Sequence, residues 1–163
     1  MHPLVDQLGL TAHDEGGFFA QGYRSAATVR TPAGERYLMD TIYYLLTSDS
    51  PMGCLHRNRS DITHFLHLGG PVTYLTVAPT GELTEIVMGS DLARGQVLKM
   101  TVPGGHWKAS FLAPGVGECL ISEAVVPAFD YADRELATLE AIAAEHPSLL
   151  ERLRPYVHDA SGT

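Results

Sequence analysis

Apolar and polar residues alternate in short runs over most of the chain. Phe18 to Arg24, Tyr37 to Thr47, Met52 to His56, Ile62 to Leu68, Val72 to Ala78, Leu83 to Met88, Gln96 to Val102, His106 to Leu112 and Glu118 to Val126 are rich in β-branched, aromatic and aliphatic side chains. Turn-forming clusters separate them, among them His13-Asp14-Glu15-Gly16-Gly17, Thr31-Pro32-Ala33-Gly34-Glu35, Pro79-Thr80-Gly81-Glu82, Pro103-Gly104-Gly105 and Ala113-Pro114-Gly115. Short strands with turns about every ten residues predict an all-β antiparallel sandwich or barrel. The first ten residues carry Leu4, Val5 and Leu8 on one side and predict one or two helical turns stopped at Gly9.

The pattern changes after Pro127. Leu136, Leu139, Ile142 and Ala143 recur at helical spacing behind Asp133 as an N-cap, and Pro147 opens a second short helix carrying Leu149, Leu150 and Leu153. This predicts a barrel over residues 10–131 and C-terminal helices over 133–157, with His158 to Thr163 frayed. With no repeat or linker, a single domain over 1–163 is expected.

Composition narrows the partners. Eleven Lys and Arg against nineteen Asp and Glu give a net charge of −8 with no basic run. That argues against nucleic acid, whose phosphates need clustered cations. No apolar run is long enough to span a bilayer, and no signal peptide is visible, so a cytoplasmic location is expected. Cys54 and Cys119 have neither metal spacing nor a disulfide framework and are expected to be reduced.

The chemistry-bearing residues gather in two stretches. Cys54 to Gly70 holds His56, His64 and His67. Val102 to Lys108 holds His106 and Lys108 beside Trp107. Side chains two apart on a strand share a face, so Lys108 and His106 are expected together, as are Asn58 with His56 and His64 with Ile62. His67 is out of phase and expected to face away. Trp107 is expected outward, under the tail helices or a partner. Of Tyr43 and Tyr44, Tyr44 is expected inward. Glu15 either bonds backbone amides across the Gly16-Gly17 turn or reaches the cavity. His13 is expected in a surface loop. Cys54 is expected as a small buried apolar residue.

Several blocks resemble one family in the right order. They are Glu15-Gly16-Gly17-Phe18-Phe19 with Tyr23-Arg24-Ser25, Thr41 to Leu46, His56-Arg57 with Ser60-Asp61 and Gly69, Val102 to Trp107, and Pro127 to Tyr131. The chain thus resembles the cupin 5 (DUF985) family of RmlC-like jelly-roll proteins from about Leu8 to Leu136. The resemblance implies a double-stranded β-helix, commonly a homodimer. Metal-binding cupins place two histidines, a glutamate and a third histidine at positions that fall here on His56, Asn58, Ile62 and Lys108. Only one of the four can ligate, so neither metal nor cofactor is expected. A shifted site from His56, His64 and His106 is the metal-dependent alternative.

The leading expectation is a metal-independent small-molecule enzyme of isomerase, epimerase, cyclase or dehydratase type. Its catalytic residues would be His64, His106 and Lys108. His56, Asn58, Tyr44 and Glu15 would bind substrate. A non-catalytic cupin holding a small ligand is the alternative from another class. The homodimer expectation is tested by light scattering, which should give twice the chain mass of 17.6 kDa. A mass of one chain at working concentration would contradict it.

Overall fold

The computed structural model describes residues 2–158. Among them are a six-stranded sheet in the order β1-β2-β5-β12-β7-β10, a five-stranded sheet in the order β13-β6-β11-β8-β9, and a separate hairpin β3–β4. The strands of the first sheet are β1 (Thr11–Ala12), β2 (Phe18–Arg24), β5 (Asp40–Thr47), β7 (Asp61–Gly69), β10 (Lys99–Val102) and β12 (Glu118–Val126). Those of the second are β6 (Met52–Asn58), β8 (Val72–Val77), β9 (Leu83–Met88), β11 (Trp107–Leu112) and β13 (Arg134–Leu136). The hairpin strands are β3 (Thr28–Thr31) and β4 (Gly34–Tyr37). All the pairings between these strands are antiparallel. The all-β jelly roll with a few short helices is as the sequence predicts.

The interior between the sheets is filled from both sides. Tyr44, Leu46, Met100, Val102, Cys119 and Ile121 come from the first sheet, and Val72, Tyr74, Met88 and Leu112 from the second. Each sheet also has a covered outer patch. Helix α1 (Pro3–Gln7) and the loop after it place Val5 and Leu10 on Leu45 and Leu120. This second cover explains why Tyr44 to Thr47 is buried on both faces and reads as an unbroken apolar run.

The C-terminal segment covers the second sheet, in a form the periodicity did not give. Helix α2 (Leu139–Glu145) starts six residues later than the expected 133, capped by Thr138, whose hydroxyl accepts from the Ala141 N–H. Asp133 caps no helix there, because its carboxylate is taken by Arg36, which donates from Nε at 2.7 Å and Nη2 at 3.1 Å. Residues 134–136 instead add β13 to the edge of β6, satisfying its backbone groups. Helix α3 (Leu150–Leu153) follows a 3₁₀ turn at Pro147–Leu149. Beyond His158 the expected fray lies outside the described residues.

Ile142 and Leu153 close over Trp107, Leu55, Leu75 and Val77, so Trp107 faces outward beneath the tail. Glu145 fastens this layer. It accepts from both Arg57 Nη atoms at 2.7 and 2.9 Å and from Trp107 Nε1 at 3.1 Å, and the Arg57 guanidinium lies 4.2 Å over the indole. Leu153 has no solvent exposure. Leu153→Ala should therefore lower the unfolding free energy by about 2–4 kcal/mol, the range for a leucine lost from a packed site. Urea denaturation measures it, and a loss below about 1 kcal/mol would mean that the tail packs only loosely.

Candidate active site

A cavity of about 260 Å³ lies between the two sheets. Its buried wall carries Glu15, Tyr44, His56, Asn58, Ile62, Tyr74, Lys108 and Glu123, while exposed Gln21, Arg24 and Tyr131 mark its mouth. Apolar Phe19, Ile42, Val125 and Phe129 also line it, as do His13 and Asp40.

One wall is built around His56. It sits on β6, two residues after Cys54, so its Nδ1–H turns back to donate to the Cys54 carbonyl at 2.7 Å. That bond fixes the tautomer and leaves Nε2 facing the Glu15 carboxylate, with Oε2 at 3.2 Å. Glu15 reaches this place because Gly16 takes φ +98° and packs so closely on β6 that a Cβ would collide with the Met52 carbonyl. Arg134 on β13 donates to the other oxygen of Glu15 at 3.1 Å and holds Asp14 in a two-point grip. Tyr44 donates to the Gly16 carbonyl at 2.9 Å, which ties the same loop to β5. Burial pulls the His56 pKa down. Glu15 opposes this and Lys108 adds to it, and the net direction is downward, toward the neutral imidazole.

Next to His56 on the same sheet, Lys108 starts a buried charge network that crosses to the first sheet. Lys108 Nζ on β11 stands 3.6 Å from Glu123 Oε1 on β12 and 3.4 Å from His64 Nε2 on β7. His64 Nδ1 lies 3.1 Å from Glu123 Oε1. A consistent proton assignment has Nδ1–H donating to the carboxylate while bare Nε2 accepts from the ammonium. Burial and the Lys108 charge both lower the His64 pKa, so the neutral ring is favoured. Burial pushes the Glu123 carboxyl up, but Lys108 and His64 outweigh it and hold it well below the usual carboxylate range.

The expected site residues are thus only partly brought together. His56, Asn58, Lys108, Tyr44 and Glu15 all line the cavity. His64 does not. Its strand phase points inward, but Lys108, Glu123 and Tyr74 cover it, and it is 0% exposed. His106 is also off the cavity, because β11 begins only at Trp107, and the Gly105 turn ends the alternation that would have carried it inward. His67 lies on the exposed outer face, within 2.8 Å of the Ser122 hydroxyl. Cys54 is buried, with its thiol pushed up to about 12 chiefly by burial, which leaves no thiolate nucleophile.

Glu123 is the chief residue that the residue patterns did not single out. The signal was present, since Cys119, Ile121, Glu123 and Val125 share one strand face and all are buried. A carboxylate in that row needs a buried cation, and Lys108 supplies it.

The donor set does not fit a metal. At the four template positions, Asn58, Ile62 and Lys108 accompany His56 around the same cavity. The lysine brings a cation held in an ion pair where a ligand should stand. The shifted set is not assembled either, since His64 Nε2 faces the ammonium and His106 lies elsewhere. His13, Asp14 and Glu15 bring ligand atoms within 4.8 Å of one another. However, Arg134 takes both Asp14 oxygens, and His13 Nδ1 accepts from the Glu15 N–H at 3.0 Å.

This fold and cavity define a cupin. The chain belongs to the family described as Cupin superfamily (DUF985), which matches residues 2–137. An uncharacterized protein of Saccharomyces cerevisiae, YML079W, is 38% identical over 147 residues, covering 82% of this chain and 73% of its own. A hypothetical protein from Leishmania major superimposes with a TM-score of 0.89 at 30% identity, covering 95% of this chain and 97% of its own. Protein SO0799 from Shewanella oneidensis superimposes with a TM-score of 0.84 at 32% identity, covering 95% of each chain. Oxalate decarboxylase from Bacillus subtilis, with a TM-score of 0.56 at 13% identity, shares the fold alone; the match covers 93% of this chain and 40% of that one. Among the described residues, no helix is long and apolar enough to cross a membrane.

The buried histidines and Glu123 set the pH response. His56 and His64 have folded pKa values below the unfolded one of about 6.5, so the unfolded chain binds more protons just below that pH. Their stabilising contribution is present above about pH 6.5 and falls as pH drops through it, by up to about 1.4 kcal/mol per pH unit for each ring. Glu123 adds a further loss below about pH 4.3, where its unfolded counterpart takes a proton first. Chemical denaturation from pH 7.5 to 3 should show both falls, and His64→Asn should flatten the first. Stability that rises on acidification would contradict the neutral-histidine assignment.

Proposed function

We propose that this cavity catalyses proton transfer next to the carbonyl of a small organic molecule, without a metal, in an isomerase-, epimerase-, cyclase- or dehydratase-type step. His56 is the base in this reading, in place of the His64 and His106 expected from the sequence. The observation that carries it is the His56–Glu15 pair on the cavity wall. Nδ1–H is committed to Cys54, so Nε2, which Glu15 faces at 3.2 Å, is the ring nitrogen left to take up a proton, and substrate must enter beside Glu15 to reach it. The Nε2 lone pair takes a proton from the carbon beside the carbonyl, the C–H electron pair becomes a carbon–carbon double bond, and the carbonyl π pair moves onto the oxygen as an enolate. Glu15 stabilises the imidazolium, and the Lys108 ammonium stabilises the developing oxyanion. Return of the proton to a different carbon, or to the other face of the same carbon, completes isomerisation or epimerisation.

The second reading is a pocket that holds a ligand without turning it over. It is favoured by the Lys108–Glu123 pair, which already balances the ammonium at rest. Deuterium incorporation from heavy water, followed by NMR over a panel of small hydroxyketones and hydroxyaldehydes, separates the two. Exchange by the wild type should fall by about 10²–10⁴-fold in His56→Asn, with circular dichroism and melting temperature little changed. Undiminished exchange in His56→Asn removes the proposed base. Ligand binding with no exchange leaves the binding module.

A further inference from the structure

The cavity has a charge pattern that limits what enters it. Two cations, Lys108 and Arg24, and three carboxylates, Glu15, Asp40 and Glu123, line it. Lys108 is matched by Glu123 at 3.6 Å and Arg24 by Asp40 at 2.8 Å. The third carboxylate, Glu15, is matched from behind the wall by Arg134 at 3.1 Å. No lining cation is therefore left over. A phosphate or carboxylate entering would have to displace Glu123 or Asp40, or sit beside it against like-charge repulsion and the loss of its hydration.

Asn58 points to what is accepted. Its residue is only 8% exposed, it lines the cavity, and its buried Oδ1 has no hydrogen-bond partner among the described residues. A buried amide oxygen left so is unfavourable, and a hydrogen-bonding ligand relieves it. A half-turn about the last torsion presents either its oxygen or its nitrogen to the cavity. A hydroxyl, which both donates and accepts, satisfies either face; a carboxylate is met by the nitrogen face alone and is opposed by the carboxylates already in the lining. Phe19, Ile42, Ile62, Val125 and Phe129 leave room for an apolar flank. At about 30 Å³ per water, the 260 Å³ volume holds roughly nine waters, room for a small organic molecule.

We infer that the ligand is an uncharged hydroxycarbonyl compound with a short apolar flank, its hydroxyl on Asn58 and its carbonyl toward Lys108. This rests on the proton-transfer reading only for the role of the carbonyl; the charge preference stands without it. Transition-state charge then appears on an oxygen that was neutral in the substrate, so the Lys108 attraction strengthens as the reaction proceeds.

The test is direct binding to the full chain, by calorimetry and NMR titration, of three probes with one skeleton. These are 1-hydroxy-4-methylpentan-2-one, 4-methylpentan-2-one without the hydroxyl, and 4-methyl-2-oxopentanoate with a carboxylate in its place. The hydroxyketone should bind at least about tenfold tighter than either of the others, a difference of about 1.4 kcal/mol. Asn58→Leu should remove its advantage over the plain ketone. Glu123→Gln, by freeing the Lys108 charge, should shift preference toward the oxopentanoate. Equal or tighter binding of the oxopentanoate by the wild type overturns the inference, whatever the variants do, as does failure of all three to bind at millimolar concentration. Hydroxyketone binding without deuterium exchange upholds the inference and defeats the proton-transfer reading. Exchange together with oxopentanoate preference does the reverse.

Discussion

The interior of this barrel is organised by the burial of one lysine. An ammonium taken from water is destabilising by several kcal/mol unless charge and hydrogen bonds meet it. Lys108 stands on the second sheet, while Glu123 and His64, which meet it, stand on the first. The network therefore spans the cavity and pins the sheets at a set distance. It also dictates protonation states. Glu123 must be ionised to balance Lys108, and His64 must be neutral to accept from Lys108 with one nitrogen and donate to Glu123 with the other. With that network satisfied internally, the histidines that line the cavity are His56, the cross-strand partner of Lys108 on β6, and His13 from the loop before β2, whose place in the lining departs from the surface loop expected of it.

The fold is shared with proteins of very different sequence, and the site is not carried with it. The family resemblance locates four positions around one cavity, and the structure agrees that His56, Asn58, Ile62 and Lys108 lie there. What stands at them differs in kind from a metal-ligand set. The positive charge in this cavity is tethered covalently on a side chain, and its strength is tuned by the distance to Glu123.

Much of the architecture was legible because strand alternation and turn residues are local signals. Phe18–Arg24, Leu83–Met88 and Glu118–Val126 fall where the pattern put them. The strand at 134–136 was not, since it exists through pairing with β6, almost eighty residues earlier in the chain, and helical spacing masked it. In the site, parity correctly put Asn58, Ile62 and Lys108 on one lining. It failed for His106, where the strand had not yet begun, and was insufficient for His64. Facing inward and reaching the cavity are different conditions, and which inward side chains are overlaid by others depends on packing from the other sheet. The Arg134–Glu15 contact had no local signature, because its partners are joined only by the folded chain.

That contact bears on when the pocket comes into being during synthesis. Glu15 and His56 leave the ribosome early, but the guanidinium that neutralises Glu15 belongs to Arg134, and the acid that steadies Lys108 belongs to residue 123. Until more than four-fifths of the chain has emerged, neither the guanidinium that meets Glu15 nor the strand that caps the β6 edge is present. The charge matching of the cavity is thus completed by the same end of the chain that covers the second sheet.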